Sequence, residues 1–225
     1  MSSKNKNNKS RTNKPRGKGS RTTKLHNANN FDQQNNIIVS RRIQKIPDSK
    51  LPSKYWYDAQ YQTPCQLGGN VRSMVSTIKQ GLTSIDRIAD KIVVRKLELK
   101  YNIDNADTYN LARLMLVYLP NPAVTIGGIL DTDSAYSNIS PQSFTKPFCT
   151  GINFVVLWDQ THILNPNASN AAVHGEISVP CNLPVTWQYD QTFESGDIVL
   201  IWIGDSAFFP HPVLTYNMRL TFTDF

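Results

Sequence analysis

The sequence predicts an all-β fold, a single antiparallel eight-stranded jelly roll (a β-sandwich) that follows a disordered basic arm. Three observations predict it: period-two hydrophobic alternation after about residue 50, turn residues between the alternating segments, and no long stretch of helical period. About eight strands with long connections over roughly 180 residues fit the two Greek keys of a jelly roll. The strand count alone also fits lectin-like and cupin-like proteins.

The segment 214–223 carries the clearest strand signal, because five apolar residues from Leu214 to Phe222 alternate with polar ones. Val93–Ile103 alternates in the same way. Three segments are more continuously apolar, which predicts strands covered on both faces: Tyr109–Leu119, Asn153–Leu164 and Asp197–Ile203. Weaker strand candidates are Arg72–Ile78, Glu176–Val179 and Val185–Tyr189, and Ile126–Leu130 fits one helical turn in a loop.

Positive charge is concentrated at the N-terminus. Residues 1–24 carry nine cations and no carboxylate, so the rest of the chain sums to −2 within a total of +7. A segment this polar cannot bury enough surface to fold alone, and its charge predicts a polyanionic partner. We therefore predict a disordered nucleic-acid-binding arm at 1–46 and a shell domain at 47–225. The predicted binding residues are Lys4, Lys6, Lys9, Arg11, Lys14, Arg16, Lys18, Arg21, Lys24, Arg41, Arg42 and Lys45.

The arm contains no aromatic residue before Phe31, so we expect it to neutralise phosphates and not to read or stack bases. A strand and a helical turn are both compatible with the segment 37–46 that ends it. The arm is also a candidate nuclear-import signal, and a merely solubilising tail is the alternative to a binding role.

Catalytic and metal-binding signatures are missing from the sequence. It has no nucleophile elbow, Walker loop or zinc-protease motif, and its three cysteines form no C-x-x-C pair, which predicts buried thiols. Asp131-Thr-Asp133 begins like a calcium loop, but Tyr136 stands at the sixth position, where such a loop needs glycine. We therefore predict that the protein is not an enzyme and has no catalytic residue, no cofactor and no metal. No secretory signal is visible, and the apolar runs are too short to span a membrane.

Four segments, in order, resemble coat proteins of the satellite tobacco necrosis virus type, whose fold many circular single-stranded DNA viruses share. Residues 80–92 resemble the family's "Q-G, then R-x-G" opening, with Ala89 in place of the usual glycine. Residues 112–131 resemble its "R, apolar strand, turn, I-L-D" passage, with the usual Asp-x-Gln-x-Asn-Gly turn replaced by Leu119-Pro-Asn-Pro122. Residues 154–164 resemble its "F-x-V-L-x-D" strand, and Arg219–Asp224 resembles its "R-x-x-F-x-D" ending.

The resemblance implies a viral capsid protein that self-assembles into a small icosahedral (T=1) shell of about sixty copies around a single-stranded genome. It favours DNA over RNA and a virion location, with the host nucleus as a site of assembly. The host attachment factor is unknown, and no membrane insertion is expected. The alternative is a cellular jelly-roll binding module, for example for carbohydrate, with a basic tail.

Two groups of residues outside the arm are candidates for contacts in a shell. Lys96, Lys100 and Arg219 lie on the polar faces of the two best strands, and Glu98 lies among them. Three roles are open for these cations: contact with nucleic acid, contact with a neighbouring subunit, or an ordinary solvated face. Phe208–Pro212 is an apolar loop flanked by turn residues, and we predict that it contacts another copy of the chain.

Overall fold

The computed structural model describes residues 53–106, 109–135, 137–146, 153–165, 167, 171–188 and 193–224. The predicted arm at residues 1–46 lies outside the described residues, together with its twelve predicted binding residues and Cys149. The boundary between arm and shell domain therefore stays a prediction.

The described chain forms nine strands and one short helix. They are β1 (Lys54–Pro64), β2 (Asn70–Ser73), β3 (Lys91–Asp104), β4 (Asn110–Leu119), α1 (Ile126–Ile129), β5 (Val155–Leu164), β6 (Ala172–Trp187), β7 (Phe193–Ser195), β8 (Asp197–Gly204) and β9 (Val213–Asp224).

The strands pair into two antiparallel sheets that pack face to face. The five-stranded sheet has the order β1-β9-β3-β6-β7, and the four-stranded sheet has the order β2-β8-β4-β5. The chain passes repeatedly from one sheet to the other, and strands distant in sequence, such as β1 and β9, become neighbours. Apart from the three-residue β7, this is the eight-stranded jelly roll that the sequence predicts.

The five strongest strand predictions agree with β3, β4, β5, β8 and β9 to within two residues, and Ile126–Leu130 indeed contains one helical turn, α1. Two weaker predictions identify strand residues but divide one strand into two. The segments 176–179 and 185–189 belong to one continuous strand, β6, which contains Pro180 and Pro184. These prolines are tolerated because they pair with β3 on one side, whereas β7 pairs only with Thr186 and Trp187 on the other.

The third weak prediction, Arg72–Ile78, is wrong in its extent, because β2 ends at Ser73 and a turn follows. β1 and β7 were not predicted from the sequence. In β1, large aromatic side chains lie on the exposed positions as well as on the partly buried ones, so hydrophobic alternation does not mark the strand.

Two apolar clusters hold the sandwich together. The main core lies between the sheets, with Leu97, Leu114, Leu200 and Leu220 among its fully buried members. A second cluster lies on the outer face of the four-stranded sheet, beneath residues 120–146, which we call the covering segment. At about 25 cal/mol per Å² of apolar surface removed from water, both clusters contribute substantially to stability.

Strands that lie beneath the second cluster are buried on both faces. β8 is buried at all eight positions and β4 at nine of ten, as the sequence predicts. The same prediction is wrong for β5 after its first four residues: six of its ten positions are buried or partly buried, and Asp159, Gln160, Thr161 and Ile163 are exposed. β5 is the edge strand of its sheet and pairs only with β4.

Among the described residues, no helix has the length and apolar character needed to cross a bilayer.

Candidate functional site

The second and third family-like segments meet in an ion pair under the covering segment, between the buried Arg113 and the partly exposed side chain of Asp159. The Arg113 guanidinium donates from Nε and Nη2 to the two oxygens of Asp159, at 2.8 and 2.6 Å. It also donates to the Ser143 carbonyl at 2.5 Å and to Thr145 Oγ1 at 3.2 Å, both in the covering segment. Such a two-pronged pair fixes geometry as well as charge, so Arg113 fastens the covering segment to β4 and β5.

The first and fourth family-like segments meet at the opposite edge of the molecule. The Asp224 carboxylate accepts hydrogen bonds from the backbone N–H groups of Ile88 and Ala89, at 2.8 and 3.4 Å. It also pairs with Lys54 Nζ at 2.9 Å. Ala89 is not among the residues with positive φ, so the alanine that replaces the family's glycine fits this backbone without strain.

Arg87, in the same loop, is almost fully buried against the five-stranded sheet. Its guanidinium lies 4.3 Å from the centre of the Trp187 ring and donates to the Ala89 carbonyl at 3.0 Å. Gly81 stands where a Cβ atom would meet the Asp86 carboxylate at 2.4 Å, so a larger residue there would displace the Asp86 side chain. The family-like opening therefore serves a structural role, as the frame of the loop between β2 and β3.

The loops at the surface carry large apolar side chains that the described residues do not cover. Leu82 is 93% exposed, and Ile85 and Ile88 follow it in the β2–β3 loop. Phe208 and Phe209, in the β8–β9 loop, are each 84% exposed, which agrees with the predicted apolar loop. Its last two residues, His211 and Pro212, are buried, so only its first part is available for contact.

Lys96, Lys100 and Arg219 lie on the outer face of the five-stranded sheet, as predicted, and each is paired. Glu98 accepts from Lys96 Nζ at 2.9 Å and from Arg219 Nε at 2.7 Å, while Lys100 lies 3.3 Å from Glu176. Hydrogen bonds from Lys96 and then Arg219 hold the pKa of Glu98 below its ordinary value. The cations outnumber the carboxylates by one, so the face is nearly neutral.

The sequence reading missed the two tyrosines of β1 on this same face. Tyr55 is 43% exposed and Tyr57 is 58% exposed. Tyr57 pairs directly with Arg219 in the β1–β9 register, and the Arg219 guanidinium lies 5.7 Å from the centre of the Tyr55 ring. We call Tyr55, Tyr57, Lys96, Glu98, Lys100 and Arg219 the open face. The sequence Tyr-Trp-Tyr at 55–57 could have revealed this face, because in a strand it places the rings of Tyr55 and Tyr57 on the same side.

Asp133, at the end of the calcium-loop-like segment, and the buried His162 are both engaged in hydrogen bonds within the protein. Asp133 accepts from Ser140 Oγ at 2.6 Å and from the Ala135 N–H at 2.8 Å, as a turn residue. His162 is buried 3.1 Å from the Tyr101 hydroxyl, on the face of β5 opposite Asp159, and burial lowers its pKa. In the described ranges, no group of three or more histidine, cysteine, aspartate or glutamate residues could hold a metal ion.

Two of the three cysteines are buried free thiols, as predicted. Burial raises the pKa of Cys65 and of Cys181 to about 12. At neutral pH both are therefore protonated and unreactive.

No protein-family model matches the chain, and no curated protein matches its sequence. Among solved structures, a chain of Desmodium yellow mottle tymovirus aligns at TM-score 0.38 with 11% identity, covering 81% of this chain and 93% of that one. A chain of the empty head of turnip yellow mosaic virus aligns at TM-score 0.33 with 8% identity, covering 81% and 86%.

A chain of infectious bursal disease virus, Gx strain, aligns at TM-score 0.26 with 8% identity, covering 79% of this chain and 34% of that one. These similarities are low, and the jelly-roll assignment rests on the strand order of the chain itself.

Proposed function

We propose that this protein is the coat protein of a small icosahedral virus, which self-assembles into a shell of about sixty copies and packages a single-stranded genome. The observation that carries the proposal is the division of charge. Nine cations stand in the first 24 residues, and the remainder, which sums to −2, contains a jelly roll. Jelly rolls are a common architecture of capsid shells, and a polycationic arm on such a domain suits an enclosed polyanion.

Genome binding follows from the chemistry of the arm. Lysine and arginine neutralise phosphates and release the counterions condensed on the nucleic acid, which makes binding strong at low salt and independent of sequence. In a shell of about sixty copies, the nine cations of residues 1–24 alone would supply about 540 positive charges, each able to offset about one phosphate. Charge on that scale suits a genome of roughly one to a few kilobases, partly neutralised.

Self-association is supported by the surface of the shell domain. Soluble monomers rarely expose clustered large apolar side chains, yet Leu82 and Ile88 are exposed in one loop and Phe208 and Phe209 in another. The chain also carries only 18% charged residues, against about 25% in typical soluble domains. A surface that is poor in charge and bears apolar loops suits contact with other copies.

Two finer points of the proposal rest on the family resemblance. The preference for DNA over RNA and the single-jelly-roll T=1 shell are taken from coat proteins of the satellite tobacco necrosis virus type. The pairs Arg113–Asp159 and Asp224 with Ile88 and Ala89 support that resemblance, because residues from separate family-like segments meet in space.

Electron microscopy of the purified full-length protein tests the proposal, combined with ultraviolet absorbance after nuclease treatment. We expect uniform small spheres that retain protected nucleic acid. Monomers at every salt concentration and pH would contradict the shell. In that case the cellular binding module becomes the better hypothesis, and a glycan screen would follow.

Phe208→Asp tests whether the β8–β9 loop contacts another copy. Because Phe208 is 84% exposed, we expect the free energy of unfolding of the subunit to change by no more than about 0.5 kcal/mol, whereas shells no longer form. Phe208→Leu keeps an apolar side chain and serves as the control that still assembles. Normal shells from the aspartate variant would show that this loop is not an interface.

A further inference from the structure

We propose that the open face binds single-stranded nucleic acid by stacking bases on Tyr55 and Tyr57, an inference that rests on the nucleic-acid part of the proposed function. Exposed tyrosines on one sheet face offer planar surfaces on which bases of any sequence can stack. The described residues leave both rings accessible, with Tyr57 more than half exposed.

The spacing of the two rings suits a nucleic-acid strand. Tyr55 and Tyr57 are two residues apart on β1, so both point to the same side of the sheet, about 6.8 Å from each other along the strand. That distance is about twice the rise of about 3.4 Å per nucleotide of a stacked strand. The rings therefore present two separate platforms within reach of neighbouring nucleotides.

Cations beside the rings suit the phosphates that would accompany the bases. The Arg219 guanidinium lies 5.7 Å from the centre of the Tyr55 ring, and Tyr57 stands directly opposite Arg219 in the β1–β9 register. Arginine stacks on rings and bases as well as pairing with phosphate. Lys100, about two thirds exposed, pairs with Glu176, which is equally exposed, and such a surface pair is weak enough to exchange for a phosphate.

The position of the face relative to the arm argues for nucleic acid over other occupants. β1 begins at Lys54, so Tyr55 follows the predicted arm by nine residues, which span at most about 32 Å of extended chain. A polyanion held by the arm would therefore lie within reach of the open face. The two parts are complementary, because the arm has cations without aromatic residues before Phe31 and the face has rings with almost no net charge.

The test compares two probes that carry the same phosphates. Full-length protein is stripped of nucleic acid in high salt and titrated with an oligothymidylate of about twenty nucleotides, and with an abasic oligonucleotide of equal length. We expect tighter binding of the oligothymidylate, because only that probe has bases to stack. Each stacked base contributes about fivefold to about 150-fold in affinity.

The double variant Tyr55→Ala/Tyr57→Ala should lose this preference by at least about fivefold, while its affinity for the abasic probe stays unchanged. Tyr55→Phe/Tyr57→Phe keeps the rings and should keep the preference. Tyr109→Ala is the matched control, since Tyr109 is 52% exposed but precedes β4 in the other sheet. Photocrosslinking of wild-type protein to a bromouracil-containing oligonucleotide should label the peptide that contains both tyrosines, even if the alanine variant folds poorly.

Two results would overturn the inference: equal binding of both probes by the wild-type protein, or an undiminished preference in the double alanine variant. Both leave charge-based packaging intact. Failure of the wild-type protein to bind either probe would instead contradict the nucleic-acid part of the proposed function. Loss of shell assembly in the double alanine variant, with its preference for bases retained, would identify the open face as a subunit interface and so also overturn the inference.

Discussion

The two outer faces of the sandwich are both built from antiparallel strands, but they lie in different surroundings. On the four-stranded sheet, the covering segment buries Met115, Val117, Val199 and Ile201. On the five-stranded sheet, the described residues leave the outer face accessible, and it carries tyrosines and paired charges. The described residues thus complete their own packing on one side and leave the other side uncovered.

The burial patterns of the strands reflect this difference between the two sheets. β4 and β8 are apolar at consecutive positions because both of their faces are buried, whereas β3 and β9 alternate because only the inner face is. The same side-chain type should therefore have a different energetic role on each face. Three matched substitutions test that expectation.

The largest difference is expected between two arginines that each pair with a carboxylate. Arg113→Ala should lower the free energy of unfolding by about 3 kcal/mol, because it removes a buried guanidinium whose charged hydrogen bonds hold Ser143 and Thr145 of the covering segment as well as Asp159. Arg219→Ala removes a partly exposed pair with Glu98 and should lower the free energy of unfolding far less. Urea unfolding of dissociated subunits measures both values, and equal costs would show that the covering segment is not fastened through Arg113.

A reciprocal exchange of branched side chains should give the next largest effect. Ile201 is fully buried under the covering segment, so Ile201→Thr loses apolar contacts and buries a hydroxyl group, at a cost of about 2–3 kcal/mol. Thr221 lies on the outer side of β9, and Thr221→Ile should change stability by no more than about 0.5 kcal/mol. Thermal or urea unfolding of the two variants measures both changes in stability. An Ile201→Thr variant as stable as the wild type would show that this face is not part of the packed core.

The smallest of the three effects depends on pH. Asp197 lies on the covered sheet, where burial raises its pKa from 3.8 to about 6, despite a 2.6 Å hydrogen bond from Ser73 Oγ. The native state therefore binds this proton more tightly than the unfolded state. Its contribution to stability is greatest below about pH 4 and declines as the pH rises to about 6, by about 2 kcal/mol between about pH 4.5 and 7.5.

Asp197→Asn should abolish that part of the pH dependence, as measured by urea unfolding at the two pH values. Glu98 on the open face provides the contrast. Its pKa is lowered, so its pairs stabilise the fold above the ordinary glutamate pKa, and this stabilisation is lost as the pH falls below it. Because Glu98 pairs with half-exposed cations, Glu98→Gln should have a small effect. An unchanged pH profile in Asp197→Asn would refute the assignment for Asp197.

The fold was predictable from the sequence because strand patterning is a local property. Alternation marks β3 and β9, and continuous apolar runs mark β4 and β8. Strand prediction failed where distant parts of the chain determine whether a strand is paired or buried. Pro180 and Pro184 read as strand breaks, but β6 pairs there only with β3 and so tolerates them, and β5 reads as buried although it lies at an edge.

The candidate site was predictable only in part. The cations Lys96, Lys100 and Arg219 were placed on polar faces by alternation, and the apolar loop at Phe208 was found by its composition. The pairing of Arg113 with Asp159 was not, because the partners lie 46 residues apart and charge alone does not reveal which residues meet across a sheet. The open face was missed because its tyrosines count as apolar in a pattern that assigns apolar side chains to the core.

The most direct test of the account is deletion of residues 1–24, with a full-length variant in which the nine cations of residues 1–24 are replaced by glutamine as the control for length. Both proteins are expressed and purified like the wild type, and the nucleic acid that survives nuclease treatment in their particles is measured by absorbance and electron microscopy. We predict uniform shells, since the jelly roll is unchanged, but little protected nucleic acid in either variant. Shells that protect as much nucleic acid as the wild type would contradict the account, because packaging would then not depend on the charge of the arm.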